Sequence, residues 1–311
     1  MTRLPAALIA ALLLVLPRSF RAQDAAAPPP VVLDVVVSDA NGAPARDLGP
    51  GDFEVLGDSR PQAIASFSTA AEPLTVVFLL DVSASAESLW RPDAAAMVAA
   101  LGGALKPGER ARLGGIAGHL TLGPWTTNSA ELDRTAAATL TPSAEDRAGP
   151  SPLWDAVDGA LTALATEPGR RTIVMLTDGL PTGNVHGVDE IRARAAALGI
   201  TVNVVVSGAG LTFGAGQLLS ALAASSGGLA LEWRPPTGPV PNGAHLPAAM
   251  TSMAGYVTAV LGRVFDDLRT CYRIGFVPER ADGREHAVSV RVRQPGYKVR
   301  TRDRYVAATG G

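Results

Sequence analysis

The sequence predicts an α/β fold: a doubly wound, mostly parallel sheet, with an additional β-rich module formed by the two flanks of the chain. Three observations lead there. Apolar runs alternate with helical patterns between Leu74 and Arg269, as in "RTIVMLTDG", "VDEIRARAAALG" and "ITVNVVVSG". The run "LTVVFLL" before Asp81 has almost no polar atom, as a central strand covered on both faces requires. Outside this region the chain turns to short β-rich runs separated by turn residues.

In chain order, residues 1–22 read as a secretory signal peptide. Arg3 supplies the positive end and "AALIAALLLVL" an apolar run too short to span a bilayer. Cleavage is expected after Ala22, with a retained anchor as the alternative. The expected location is exported, periplasmic or at the cell surface, with no integral span after cleavage. Residues 23–30 form a flexible leader. Residues 31–69 hold "VVLDVVV", "FEVL" and "AIASF", with turns expected at Asn41-Gly42, Pro50-Gly51 and Gly57-Asp58. Residues 73–269 form the Rossmann-like α/β domain. Residues 270–306 return to β structure: "HAVSVRVR" puts Val288, Val290 and Val292 on one face and Ser289, Arg291 and Arg293 on the other. Each flank is too short for a stable sheet alone, so the two are expected to pair.

Two helical stripes belong to the core of the middle region. Leu153, Val157, Ala160, Leu161 and Leu164 form one, and Val257, Val260, Leu261, Val264, Phe265 and Leu268 the other. The Pro- and Gly-rich "PPTGPVPNGAH" (235–245) reads as a surface loop. The glycine-rich segment 207–216 matches neither phosphate-loop spacing, so a plain strand-to-helix loop is expected there.

Composition narrows the chemistry. A chain of 311 residues that is 47% hydrophobic can bury a large core, and a net charge of -2 offers no basic footprint for nucleic acid. Cys271 is the single cysteine, which excludes an intrachain disulfide and a thiolate zinc cluster and reads as a buried small residue. The four histidines, His119, His186, His245 and His286, are scattered and sit in no metalloprotease or nucleophile motif.

The end of the first central strand is different. Asp81 closes it, and Ser83 and Ser85 follow at alternate positions in the loop entering the next helix. "TIVMLTDG" ends in the same way with Asp178. Ligands of such sheets bind beyond the carboxyl ends of the strands, where the strand order reverses. If the two strands are neighbours there, two carboxylates and two hydroxyls meet on one rim. An all-oxygen set suits a hard cation, magnesium first, with manganese or calcium as alternatives. Two aspartates only balance a divalent charge, which leaves the metal electrophilic toward one further anion. The competing reading is that Asp178-Gly179 is an ordinary turn pair.

"DVSAS" followed far downstream by "LTDG" resembles the metal-ion-dependent adhesion site of von Willebrand factor type A (VWA) domains, with pattern D-x-S-x-S, then Thr, then Asp. "GPSPLWDA" (149–156) resembles the segment that carries the middle ligand, with Ser151 where the family has Thr. The flanks resemble those of secreted acidobacterial VWFA-related proteins, so the likeness covers nearly the whole mature chain. It implies a metal site of Asp81, Ser83, Ser85, Ser151 and Asp178. It also implies a non-enzymatic protein-binding or adhesion module whose cation bridges to an Asp or Glu of a partner protein. Trp90, Trp154 and His186 are expected on the rim that contacts the partner. Ser151 before Pro152 also reads as a helix N-cap, and Asp155 as a first-turn acid. Two other functions compete: an assembly component with a degenerate site, and a metal-assisted hydrolase.

Overall fold

The computed structural model describes residues 29–69, 72–207, 215–234 and 252–308. The expected signal peptide, most of the leader, the loop 235–245 and the greater part of 207–216 lie outside these residues.

The N-terminal flank forms β1 (Val31–Ser38), β2 (Phe53–Gly57), β3 (Arg60–Gln62) and β4 (Ile64–Ser68). The middle region follows with β5 (Leu74–Asp81), α1 (Ala84–Trp90), α2 (Ala94–Ala104), β6 (Arg110–Ala117), β7 (His119–Leu122), α3 (Ser129–Leu140) and α4 (Ala144–Ala148). It continues through α5 (Leu153–Leu164), β8 (Arg170–Thr177), α6 (Val188–Leu198), β9 (Thr201–Ser207), α7 (Ala215–Ser226), β10 (Ala230–Trp233) and α8 (Met253–Thr270). The C-terminal flank contributes β11 (Tyr272–Phe276), β12 (Glu285–Val292), β13 (Lys298–Arg300) and β14 (Arg304–Val306).

The central sheet has the order β10-β9-β8-β5-β6-β7, and only the edge strand β7 runs antiparallel. Alternation along β5 explains its apolar run. Leu74, Val76, Phe78 and Leu80 pack on one layer with α2, α3 and α8, and Val77 and Leu79 on the other with α5, α6 and α7. Each is no more than 1% exposed, and full burial of such a side chain is worth about 1.5–3 kcal/mol. Both expected helical stripes are buried along their whole length.

The flanks pair with each other. β1 lies between β13 and β11 in one four-stranded sheet, and β12 joins β2 in the second. The two sheets share a core that includes Leu33, Val35, Phe53, Tyr272, Ile274, Phe276, Val288 and Tyr305. The β2–β3 hairpin turns at Asp58-Ser59, one residue later than the Gly57-Asp58 the sequence signals, with φ of 47° and 65°. Left-handed backbone at both central residues matches the twist of hairpin strands, and Asp is one of the few residues that tolerates it.

Buried arginines join the two parts. Arg302, between β13 and β14, donates to Ala196 O at the end of α6 and to Val32 O in β1, at 2.6 and 2.9 Å. Its guanidinium is pushed down to about 10 by burial. Arg170 donates to the carbonyl of Leu268 and to Cys271 Sγ, so the buried cysteine also accepts a hydrogen bond.

Candidate metal centre

Strands β6 and β7 lie on one side of β5 and strands β8 to β10 on the other, so the order reverses between β5 and β8. Their carboxyl ends are therefore neighbours. Asp81, at the end of β5, is 0% exposed. Its Oδ1 accepts from Ser83 Oγ at 2.7 Å and from Ser83 N at 3.2 Å. Its Oδ2 accepts from Thr177 Oγ1 at 2.8 Å and from Ser151 Oγ at 3.2 Å. Ser85 Oγ lies 3.4 Å from Ser83 Oγ, on the exposed side of the cluster. Asp178 is 2% exposed and accepts from Leu180 N at 3.1 Å.

Two of these contacts correct the residue-level expectations. Helix α5 begins at Leu153 with Pro152 at its N-cap, so Ser151 stands one residue too early to cap it and turns its hydroxyl to Asp81. Thr177, which the sequence reading passed over, is fully buried and holds Asp81 while accepting from Gly179 N at 2.9 Å. Its place immediately before Asp178 marks it as polar at the end of an apolar strand but does not show which way its hydroxyl turns.

The loop after Asp178 is fastened to the start of α5. Ser151 N donates to Thr182 Oγ1 at 2.7 Å, Thr182 N donates to Ser151 O at 2.9 Å, and Trp154 N donates to Asn184 Oδ1 at 2.7 Å. Asp155 accepts from Val185 N and His186 N, each at 2.9 Å, so this first-turn acid latches the loop.

The rim expected from the sequence is largely wrong. Trp90 is 1% exposed and Trp154 is 6% exposed. A buried indole needs an acceptor, and Trp90 Nε1 finds it at Asp81 O, 2.7 Å away, beneath the site. His186 remains at the surface, where its Nδ1 pairs with Glu190 at 3.1 Å, and that hydrogen bond raises its pKa.

Burial pushes the Asp81 carboxyl above the usual carboxylate range, hydrogen bonds from Ser83 and Thr177 draw it back, and the charge of Asp178 adds to the rise. No arginine, lysine or histidine pairs with Asp81 or Asp178 among the described residues. A buried carboxylate without a cationic partner is costly, so the donor set fits a cation. Ser83 and Ser151 give their protons to Asp81, which leaves hydroxyl lone pairs for a ligand. Thr177 is engaged on both sides and acts by positioning. Among the described residues no group of three or more His, Cys, Asp or Glu is suited to a metal, so this site would rest on two carboxylates and hydroxyls, as hard cations prefer.

The doubly wound sheet, with D-x-S-x-S on the loop after its central strand and Asp178 on the neighbouring one, decides the fold. The chain carries a VWA-like domain. No family model matches it, and no curated protein does. Solved structures similar to it include an aerotolerance-related membrane protein of Bacteroides fragilis, at 14% identity over 62% of this chain and 98% of that one, with a TM-score of 0.46. Another is the VWA domain of SpRpn10, at 14% identity over 53% and 90%, with a TM-score of 0.41. A third is proximal thread matrix protein 1 of the mussel byssus with a zinc-occupied MIDAS motif, at 15% identity over 68% and 49%, with a TM-score of 0.46. Such likenesses concern the fold alone. Among the described residues of the VWA-like chain, no helix is long and apolar enough to cross a membrane.

Proposed function

We propose that this chain is an exported, non-enzymatic protein-binding module whose Asp81, Ser83, Ser85, Ser151 and Asp178 hold a divalent cation, magnesium before manganese or calcium. The observation that carries the reading is the Asp81 carboxylate. It is 0% exposed and is met by three hydroxyls and one N–H, with no cationic side chain beside it among the described residues. A divalent cation there would supply the missing positive charge and one coordination position for an Asp or Glu oxygen of a partner. The chain's own residues prepare that position. Thr177 and Ser151 fix Asp81, and the Asp155 latch fixes the loop that borders the site. Specificity then falls to that loop, where Val185 is 87% exposed and His186 is at the surface, in place of the two buried tryptophans.

The assembly reading has one observation in its favour: the hydroxyls already satisfy Asp81 without any ion. Calorimetric titration of magnesium, manganese and calcium into chelator-stripped mature chain separates the two. One-to-one binding that disappears in Asp178→Asn is the expected result. Absence of binding with all three ions overturns the metal reading and leaves the assembly role.

A further inference from the structure

A cavity of about 330 Å³ lies between α1, α2, α3 and α4; its lining includes Leu80 and Val82 on either side of Asp81 but none of the proposed cation ligands. Its floor is apolar: Leu80, Val82, Trp90 and Val98, each no more than 7% exposed. Its walls carry alanines, Ala94 and Ala95 from α2 and Ala136 and Ala137 from α3, where helices packed on a sheet would ordinarily place larger side chains. The space exists because these methyl groups do not fill it. This size and an apolar lining with a few charged groups are the marks of a small-molecule site.

The charges are arranged by helix direction. Gly102, near the end of α2, packs so closely on Ser129, at the start of α3, that a Cβ on the glycine would lie 2.6 Å from Ser129 Cβ. The two helices therefore run antiparallel. Asp133 consequently falls at the Val98 end of the cavity and Leu140 at the end of Arg91. At that second end Arg91 and Arg147 share one carboxylate, Glu87, at 3.0 and 3.4 Å. Two guanidiniums for one acid leave a net positive charge at this end, and the buried Nε of Arg147 meets Glu87 at ion-pair distance without hydrogen-bond geometry. Asp133, at the opposite end, is exposed to solvent. Seven residues of helix separate Asp133 from Leu140, about 10 Å at 1.5 Å per residue.

We infer that this cavity binds an apolar carboxylic acid about 10 Å long, its acid head on Arg147 and Arg91 and its tail over Val98 and the alanine walls. Arginine is the side chain best shaped to receive a carboxylate, and the tail gains by leaving water for Leu80, Val82 and Trp90. None of the proposed metal ligands lines the cavity, although Trp90 touches both, with its Nε1 donating to Asp81 O at 2.7 Å.

Calorimetric titration of the mature chain with decanoate, decanol and decyltrimethylammonium tests this. Decanoate is expected to bind saturably, one per chain, at least tenfold more tightly than the alcohol, with the ammonium compound weakest. Arg147→Met should remove the advantage of decanoate over decanol. Ala136→Phe, which fills the cavity, should abolish binding of both while circular dichroism stays native. Ala95→Phe at the mouth replaces it should Ala136→Phe fail to fold. The inference is overturned if decanoate shows no saturable binding, if decanol binds as tightly as decanoate in the wild-type chain, if the decanoate advantage survives Arg147→Met, or if the folded cavity-filling variant retains wild-type affinity.

Discussion

Replacing Thr177 by Val isolates the polar support of Asp81 from packing, because the two side chains have nearly the same shape. Thr177 is 0% exposed and stands in two hydrogen bonds, to Asp81 Oδ2 at 2.8 Å and from Gly179 N at 2.9 Å. The first involves a charged acceptor and is worth about 1.5–3 kcal/mol; losing the second leaves a buried N–H at a cost of about 1–3 kcal/mol. Asp81 keeps Ser83 and Ser151 and can take up a proton, so the sum is an upper bound. The expected loss is about 3 kcal/mol by urea unfolding, or about 5 °C in Tm at this chain length. A loss below about 1 kcal/mol at Thr177 would refute the claim that a buried charge organises this end of the sheet.

Three further outcomes are expected. Asp282 and Asp58 accept from the two ring nitrogens of His286 at 3.0 and 2.7 Å and raise its pKa. That stabilisation is complete below the unfolded value of about 6.5 and is lost as pH rises through the folded value. Thermal melts from pH 5.5 to 8.5 should therefore decline less steeply for His286→Phe than for wild type, and parallel curves would remove the role. A fragment of residues 73–269 should unfold at lower urea than the mature chain, since it lacks the Arg302 contacts to Ala196 and the pairing of the flanks; equal midpoints would contradict this. Ser151→Ala should abolish the stabilisation by magnesium, about 2.7 kcal/mol at 100 times the dissociation constant. A uniform loss of about 1 kcal/mol with the magnesium increment intact would return Ser151 to a purely structural role.

Much of this architecture is legible in the chain because burial leaves an alternating or helical signature. "LTVVFLL" can only be covered on both faces, and the stripe from Leu153 to Leu164 can only face a core. Trp154 was misplaced on the rim although it stands three residues before Val157 and seven before Leu161, which puts it on the same buried stripe. Trp90 could not be placed this way, since the 3₁₀ turn Arg91–Asp93 breaks the period between α1 and α2. The hairpin tip slipped by one residue because Asp58 and Ser59 adopt left-handed backbone without glycine, supported by long-range contacts from His286 and Ala287. Thr177 was hidden for a related reason. Inside a strand buried on both faces, sequence does not tell which of two adjacent polar residues turns toward the neighbouring strand's carboxylate.

Crystals of the mature chain grown with manganese and a glutamate-containing peptide give the most direct measurement, an anomalous difference map at the metal edge. The account predicts one strong peak about 2.0–2.6 Å from oxygens of Ser83, Ser85 and Ser151, beside Asp81 and Asp178, with a peptide carboxylate completing it. A map with no peak there, or with manganese bound elsewhere and the hydroxyls still closed on Asp81, would contradict it.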